Sequence, residues 1–126
     1  MIGRHGVGIE NIDVGAATAR RIPVVNTPGA NAHSVAEFAV LLALTALRRL
    51  PELHRAFASH ELTGGSLPGM ISKAGLLGSM LEGRTVGLLG FGAIGRRAAA
   101  LFEGHSARVI FHDPFVTVND ARARTW

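Results

Sequence analysis

Residues 85–113 set the narrowest limits on what this chain can become. A short apolar run at 86–89 reads as a buried strand and enters Gly90-Phe91-Gly92-Ala93-Ile94-Gly95 with no spacer. Ile94, Ala98, Leu101 and Phe102 then recur at helical spacing, and a second apolar run at 109–111 closes on Asp113. Strand, glycine turn, helix, strand and acid follow in the order that a dinucleotide site requires. A GxGxxG alone fits any tight turn of an α/β protein; the flanking strands, helix and spaced acid together favour the dinucleotide.

Each residue type has a physical reason for its place. Gly90 permits a sharp turn out of the strand, because it has no Cβ to clash at positive φ. Gly92 leaves room for a pyrophosphate to approach the backbone, and Gly95 lets the helix pack close to the strand. The first helical amides, near Ala93 and Ile94, lack intrahelical acceptors and point at a bound anion. Asp113 follows Gly95 by 18 residues, the interval expected of an acid that accepts from an adenosine ribose hydroxyl. A free 2′-hydroxyl suits that carboxylate and a 2′-phosphate is repelled by it, so NAD is favoured over NADP. Arg96 and Arg97 fit either a phosphate contact or a solvated helix face.

The 126 residues suffice for one modest domain and not for two complete ones. A hydrophobic content of 48% argues for a packed protein. The absence of cysteine excludes disulfides and thiolate chemistry and fits a reducing, cytoplasmic setting. The charge of +4 comes from scattered arginines, paired at Arg20-Arg21, Arg48-Arg49 and Arg96-Arg97, without a basic run or a set of stacking aromatics. Nucleic-acid binding is therefore not expected. No signal peptide is expected at the start, and the apolar run at 35–47 contains Glu37 and falls short of the roughly 20 residues that span a bilayer.

Taken in order, residues 1–4 read as a strand stub running into Gly6-Val7-Gly8. Asn11 or Asp13 caps a helix over 14–21, and 22–26 reads as a short strand that Pro23 restricts to an edge or to its opening residues. Residues 27–31 form a loop. Ser34-Val35-Ala36-Glu37 has the pattern of a capping box, with Ser34 as N-cap of a helix running to about Leu50. That helix is apolar on nearly every face, so burial on several sides is expected, between layers or between subunits. Pro51 kinks or restarts it, and 52–62 is helical and more polar. Residues 64–83 read as a glycine-rich linker, and 116–126 show no pattern. The order implies α/β with parallel strands.

Other chemistries find little support. The six histidines, His5, His33, His54, His60, His105 and His112, share no i, i+4 pair and no carboxylate cluster, so no metal is expected. Neither a nucleophile elbow nor a GxxxxGK[ST] phosphate loop is present. The first glycine loop, residues 4–10, fits equally a plain strand-to-helix turn or a row of free amides, with Arg4 beside them, facing a small carboxylate.

Four motifs in sequence carry a resemblance: residues 6–13 (Gly6-Val7-Gly8-Ile9-Glu10-Asn11-Ile12-Asp13), Val25-Asn26-Thr27-Pro28-Gly29-Ala30-Asn31, Ser34-Val35-Ala36-Glu37, and the Gly90 turn with His112-Asp113-Pro114. Together they resemble the D-isomer-specific 2-hydroxyacid dehydrogenases, nearest the phosphoglycerate dehydrogenase branch, over residues 2–115. The resemblance implies a partial Rossmann-type parallel sheet beside a remnant of a flavodoxin-like substrate domain. On that division 1–27 close the substrate domain, 28–80 are linking and dimer helices with the linker, and 81–126 are the first βαβ of an NAD-binding domain.

The resemblance also implies site residues. Arg4, Val7, Gly8 and Asn31 would bind a small 2-hydroxy or 2-keto acid, while Gly90, Gly92, Ala93, Ile94, Gly95 and Asp113 would bind NAD. A homodimer is implied for the full-length parent through the Ser34 helix. The family's catalytic arginine, glutamate and histidine have no counterpart here, so no catalytic residue is assigned. The chain is read as an internal piece of an NAD-dependent dehydrogenase, without turnover by itself; a non-catalytic NAD(H)-binding or sensing module and an inactive partner subunit are the alternatives. Departures stand beside these matches: Glu10 where the family has aspartate, His105-Ser106 where it has an aromatic-glycine pair, and a linker at 64–83 unlike the family's.

Overall fold

The computed structural model describes residues 1–116 and 124–125. Most of the patternless segment 116–126 lies outside the described residues. Strand β1 (Ile2–Arg4) is followed by helix α1 (Val14–Ala19) and strand β2 (Val24–Asn26). These strands pair in parallel, Ile2 opposite Val24 and Arg4 opposite Asn26. Pro23 sits just outside the ladder, where its missing N–H costs nothing, and its carbonyl accepts from the Ile2 N–H at 2.8 Å.

Helices α2 (Ala32–Leu47), α3 (Leu50–Ala58) and α4 (Leu67–Lys73) come next. Strand β3 (Thr85–Leu89), helix α5 (Ala93–Gly104) and strand β4 (Arg108–His112) then form a parallel crossover unit, with β5 (Arg124–Thr125) beyond β4 in the same sheet. Thr85 lies opposite Arg108 and Leu89 opposite His112. The α/β class with parallel strands expected from the sequence is the one observed.

The core sits where α2 packs on α5 and α5 covers β3 and β4. Ala36 of α2 and Ala98 and Ala99 of α5 are buried in one cluster, and such small side chains let helix backbones approach closely. Beneath them Phe102, Val109 and Phe111 fill the space against the sheet. The packing sets the start of α5 at the end of β3, and therefore fixes the glycine turn between them.

Several expectations need correction. Helix α2 begins at Ala32, not after Ser34. The turn at 27–31 already delivers helical bonds, with the Ala32 N–H on the Gly29 carbonyl and the Val35 N–H on the Asn31 carbonyl, both at 3.0 Å. Asn31 is the N-cap, the Ser34 hydroxyl donates back to its carbonyl at 3.0 Å, and Glu37 pairs with His33 at 2.9 Å. The capping box is thus not formed.

The helix also ends at Leu47, because Arg49 adopts a left-handed conformation (φ 53°) and Pro51 opens α3. Residues 64–83 are not all linker, since α4 lies within them. Burial of α2 on several sides is not seen within this chain. Ala32, Ala36 and Val40 are buried, whereas Phe38, Leu41 and Leu42 are 57%, 53% and 52% exposed. Among the described residues, no helix is long and apolar enough to cross a membrane.

Candidate functional site

The turn between β3 and α5 is held from several directions. Gly90 takes φ +95°, and its N–H donates to the His112 carbonyl at 2.8 Å. The Phe91 N–H donates to Asp113 Oδ2 at 2.7 Å, and the Phe115 N–H to Asp113 Oδ1 at 2.8 Å. Asp113 therefore ties the end of β4 to the turn, a role not anticipated from its spacing. The Phe91 amide, and secondarily the Phe115 amide, hold its carboxyl below the ordinary 3.8. Partial loss of water opposes this shift, and the nearby charge of His112 and Arg96 reinforces it.

Phe91 is buried and stacks on Phe111, with centroids 3.9 Å apart and planes 14° from parallel. The Arg96 guanidinium lies 4.9 Å above the Phe91 ring, and Arg97 is exposed. A Cβ at Gly95 would run into the Gly90 carbonyl oxygen, so glycine there permits the close approach of helix and turn. At Gly92 a Cβ would meet nothing within 4 Å; that face of the turn is open. The first helical bond runs from the Arg96 N–H to the Gly92 carbonyl at 3.0 Å. Among the described residues, the Ala93 and Ile94 N–H groups have no partner. They present the positive end of a 12-residue helix.

The first glycine loop is tied to β2. The Asn26 side-chain amide donates to the Val7 carbonyl at 2.9 Å, and the Arg4 Nε–H donates to the Gly8 carbonyl at 3.1 Å. The Gly6 N–H donates to Thr27 Oγ1 at 2.9 Å, while the Thr27 N–H donates to the Gly6 carbonyl at 3.0 Å. The N–H groups of Val7 and Gly8 have no partner among the described residues. Glu10 lies against Gly8, its carboxylate where a Cβ would project. Asn26 and Thr27 were missed as loop-holding residues; a polar pair closing an apolar strand was the available signal.

The two glycine loops face one groove of about 580 Å³. Gly90, Gly92, Ala93 and Ile94 line one side, and Val7, Pro28, Gly29 and Asn31 the other. The remaining surface is largely apolar, with Leu88 and Leu89 prominent. No titratable side chain lines it among the described residues. Of the residues expected to bind, Gly95 also lines the groove, whereas Arg4, Gly8 and Asp113 are set back from it. A larger hollow of about 760 Å³ lies beside α3, bordered by Glu52, His54, Arg55 and Glu61. Among the described residues it has no cluster of free amides, so size alone does not make it the better candidate. No group of three or more potential metal ligands occurs among the described residues.

Comparison with known proteins points the same way. The family model described as D-isomer specific 2-hydroxyacid dehydrogenase, catalytic domain, matches residues 1–124. A D-3-phosphoglycerate dehydrogenase of Mycobacterium leprae is 39% identical over 116 residues, covering 92% of this chain and 20% of that protein. The structure of D-2-hydroxyisocaproate dehydrogenase superposes with TM-score 0.82 at 30% identity, over 100% of this chain and 37% of that one. The NAD-dependent formate dehydrogenase of Staphylococcus aureus, in complex with NAD, gives TM-score 0.75 at 30% identity, over 99% and 36%. The chain spans about a fifth of the length of the curated relatives it matches.

Proposed function

The chain belongs to the D-isomer-specific 2-hydroxyacid dehydrogenase family, and on that footing we propose that it carries the NAD site and the substrate-carboxylate loop of a phosphoglycerate dehydrogenase-like enzyme. The observation that carries this reading is the groove shared by the Ala93 and Ile94 amides, unpaired among the described residues, and the Val7 loop. The residues fit the cofactor: the open face at Gly92 leaves space for a diphosphate, and the helix start offers it donors. Asp113, a carboxylate at the end of β4, accepts from an adenosine ribose hydroxyl and disfavours a 2′-phosphate. NAD bound there would supply hydride-transfer chemistry at C2 of the 2-hydroxy acid. Val7, Gly8 and Asn31 orient that acid, with Arg4 buttressing the loop.

Units of 1–27, 28–80 and 81–126 fit this reading, with Val7 of the first, Pro28, Gly29 and Asn31 of the second and the Gly90 turn of the third around the groove. The exposed apolar stripe of α2 supports a homodimeric parent, with Phe38, Leu41 and Leu42 at the contact.

Calorimetric titration of the purified chain with NADH tests the cofactor site. Saturable binding of one equivalent, competed by ADP-ribose, is expected; no binding overturns the reading. A non-catalytic NAD(H)-binding module is a second reading, favoured by the lack of titratable side chains in the groove among the described residues. Both predict binding without turnover by this chain alone. Appreciable NADH oxidation with a panel of 2-keto acids would contradict both, and restored turnover on supplying the remainder of a related dehydrogenase separates the enzymatic reading from the sensing one.

A further inference from the structure

Within the loop read above as the seat of the substrate carboxylate, the hydrogen bonds sort donors from acceptors. A carboxylate is repelled by a carbonyl oxygen and attracted by an N–H, so a loop that binds one must keep its carbonyls turned away. The carbonyls of Gly6, Val7 and Gly8 are each engaged, by the Thr27 N–H, the Asn26 amide and Arg4 Nε respectively. A trans peptide is planar, with its C=O and N–H pointing in opposite directions. Fixing the Gly6 carbonyl therefore aims the Val7 N–H, and fixing the Val7 carbonyl aims the Gly8 N–H. These are the two donors left unpaired among the described residues.

We infer that Asn26 and Thr27 are positioning residues of the substrate site: held at the end of β2, they aim the Val7 and Gly8 N–H groups at the carboxylate without touching it. The inference rests on the proposed role of the loop and adds the device that orients it. Asn26 lies opposite Arg4 in the parallel pair, so the β1–β2 ladder sets the reach of both side chains. Thr27 acts at both ends of one residue, its N–H on the Gly6 carbonyl and its hydroxyl under the Gly6 N–H. Without the Asn26 bond, the Val7–Gly8 peptide, next to a glycine and exposed, is free to rotate and present its carbonyl instead.

Amide-resolved NMR of the full chain, titrated with D-glycerate as the 2-hydroxy acid probe, tests this. In the wild type the Val7 and Gly8 amide resonances should move downfield and saturate together. Asn26→Ala should weaken the apparent affinity about tenfold, the loss of one well-made hydrogen bond, and should abolish the Gly8 response more completely than that of Val7. Asn26→Asp keeps the shape, cannot donate, and should give the same selective loss. Thr27→Val should weaken binding about threefold, and Thr27→Ser should restore it. Unchanged β1–β2 backbone contacts in each spectrum establish that the variants are folded. Wild-type saturation with both Asn26 variants retaining the Gly8 response within twofold affinity overturns the inference alone. No saturable shift at either amide in the wild type overturns the reading of the loop, and this inference with it.

Discussion

Gly95→Ala is the substitution whose consequence follows most directly from the geometry of the turn. The added methyl would overlap the Gly90 carbonyl oxygen, with the Phe91 ring 3.8 Å away. Neither obstacle is a flexible side-chain end: one is backbone, and the other is clamped between Phe111 and Arg96. Ordinary contact is regained only if α5 slides away from β3 or the turn opens. Opening stretches the bonds from Gly90 to His112 and from Phe91 to Asp113. Overpacking of this kind costs about 1–3 kcal/mol. If half of that falls on the turn itself, NADH affinity drops by roughly 2- to 13-fold, and the remainder lowers thermal stability by roughly 2–6 °C.

Gly92→Ala separates the two effects. Its φ of −76° is open to any residue, and its Cβ meets nothing within 4 Å. NADH affinity should fall while the melting temperature stays within about 1 °C, since the cost of the methyl is felt only by the ligand. Calorimetric NADH titration beside a circular-dichroism melt reads both quantities. Gly95→Ala with wild-type melting and wild-type affinity would refute the close approach, and Gly92→Ala with unchanged affinity would refute the approach of the diphosphate to that face.

Three further outcomes follow from other parts of the chain. Ser106 holds φ +60° in the turn after α5, so Ser106→Gly should relieve left-handed strain and raise stability by about 0.5–1 kcal/mol in a thermal melt. A Cβ at Gly78 would stand 2.6 Å from the Arg48 Cα and 2.8 Å from the Leu47 carbonyl oxygen; Gly78→Ala should cost about 2 kcal/mol by chemical denaturation, because backbone contacts cannot yield. Asp113 has a folded pKa below its ordinary 3.8, so the stability its carboxylate confers is complete above that value and is lost as pH falls through the lower folded one. The melting-temperature gap between wild type and Asp113→Asn should accordingly be constant near neutrality and shrink only below about pH 4; a gap that closes between pH 5 and 7 would contradict this.

The unit from β3 to β4 was legible because local and long-range requirements coincide there. Gly90 and Gly95 sit where positive φ and a close contact demand glycine, and the apolar runs beside them form the paired strands. Helix ends were less legible. The turns after α1, α3 and α5 place Arg21, His60 and Ser106 at positive φ, positions where glycine is the usual signal. The N–H bonds that close these turns, such as those from Ser106 to Glu103 and from Ala107 to Phe102, involve backbone alone and leave no mark in the sequence.

The false capping box has a different cause. Ser34 and Glu37 have the right spacing, but the turn at Gly29 starts the helix earlier and His33 takes the glutamate. Helix α4 was hidden because two of its seven residues are proline and glycine. In the site, the glycine amides were foreseeable from spacing. The hold of Asn26 on the Val7 carbonyl was not, since it spans 19 residues and depends on the parallel register of β1 and β2.

The most direct measurement is the ratio of NADPH to NADH dissociation constants, taken for the wild-type chain and for Asp113→Ala. Losing Asp113 also loosens the turn through Phe91, which weakens both ligands alike and cancels in the ratio. A carboxylate facing an unphosphorylated ribose predicts a wild-type ratio of at least about 10, falling to near 1 in the variant. Equal ratios in the two proteins would contradict the assignment of Asp113, and with it the account of what the glycine turn is built to hold.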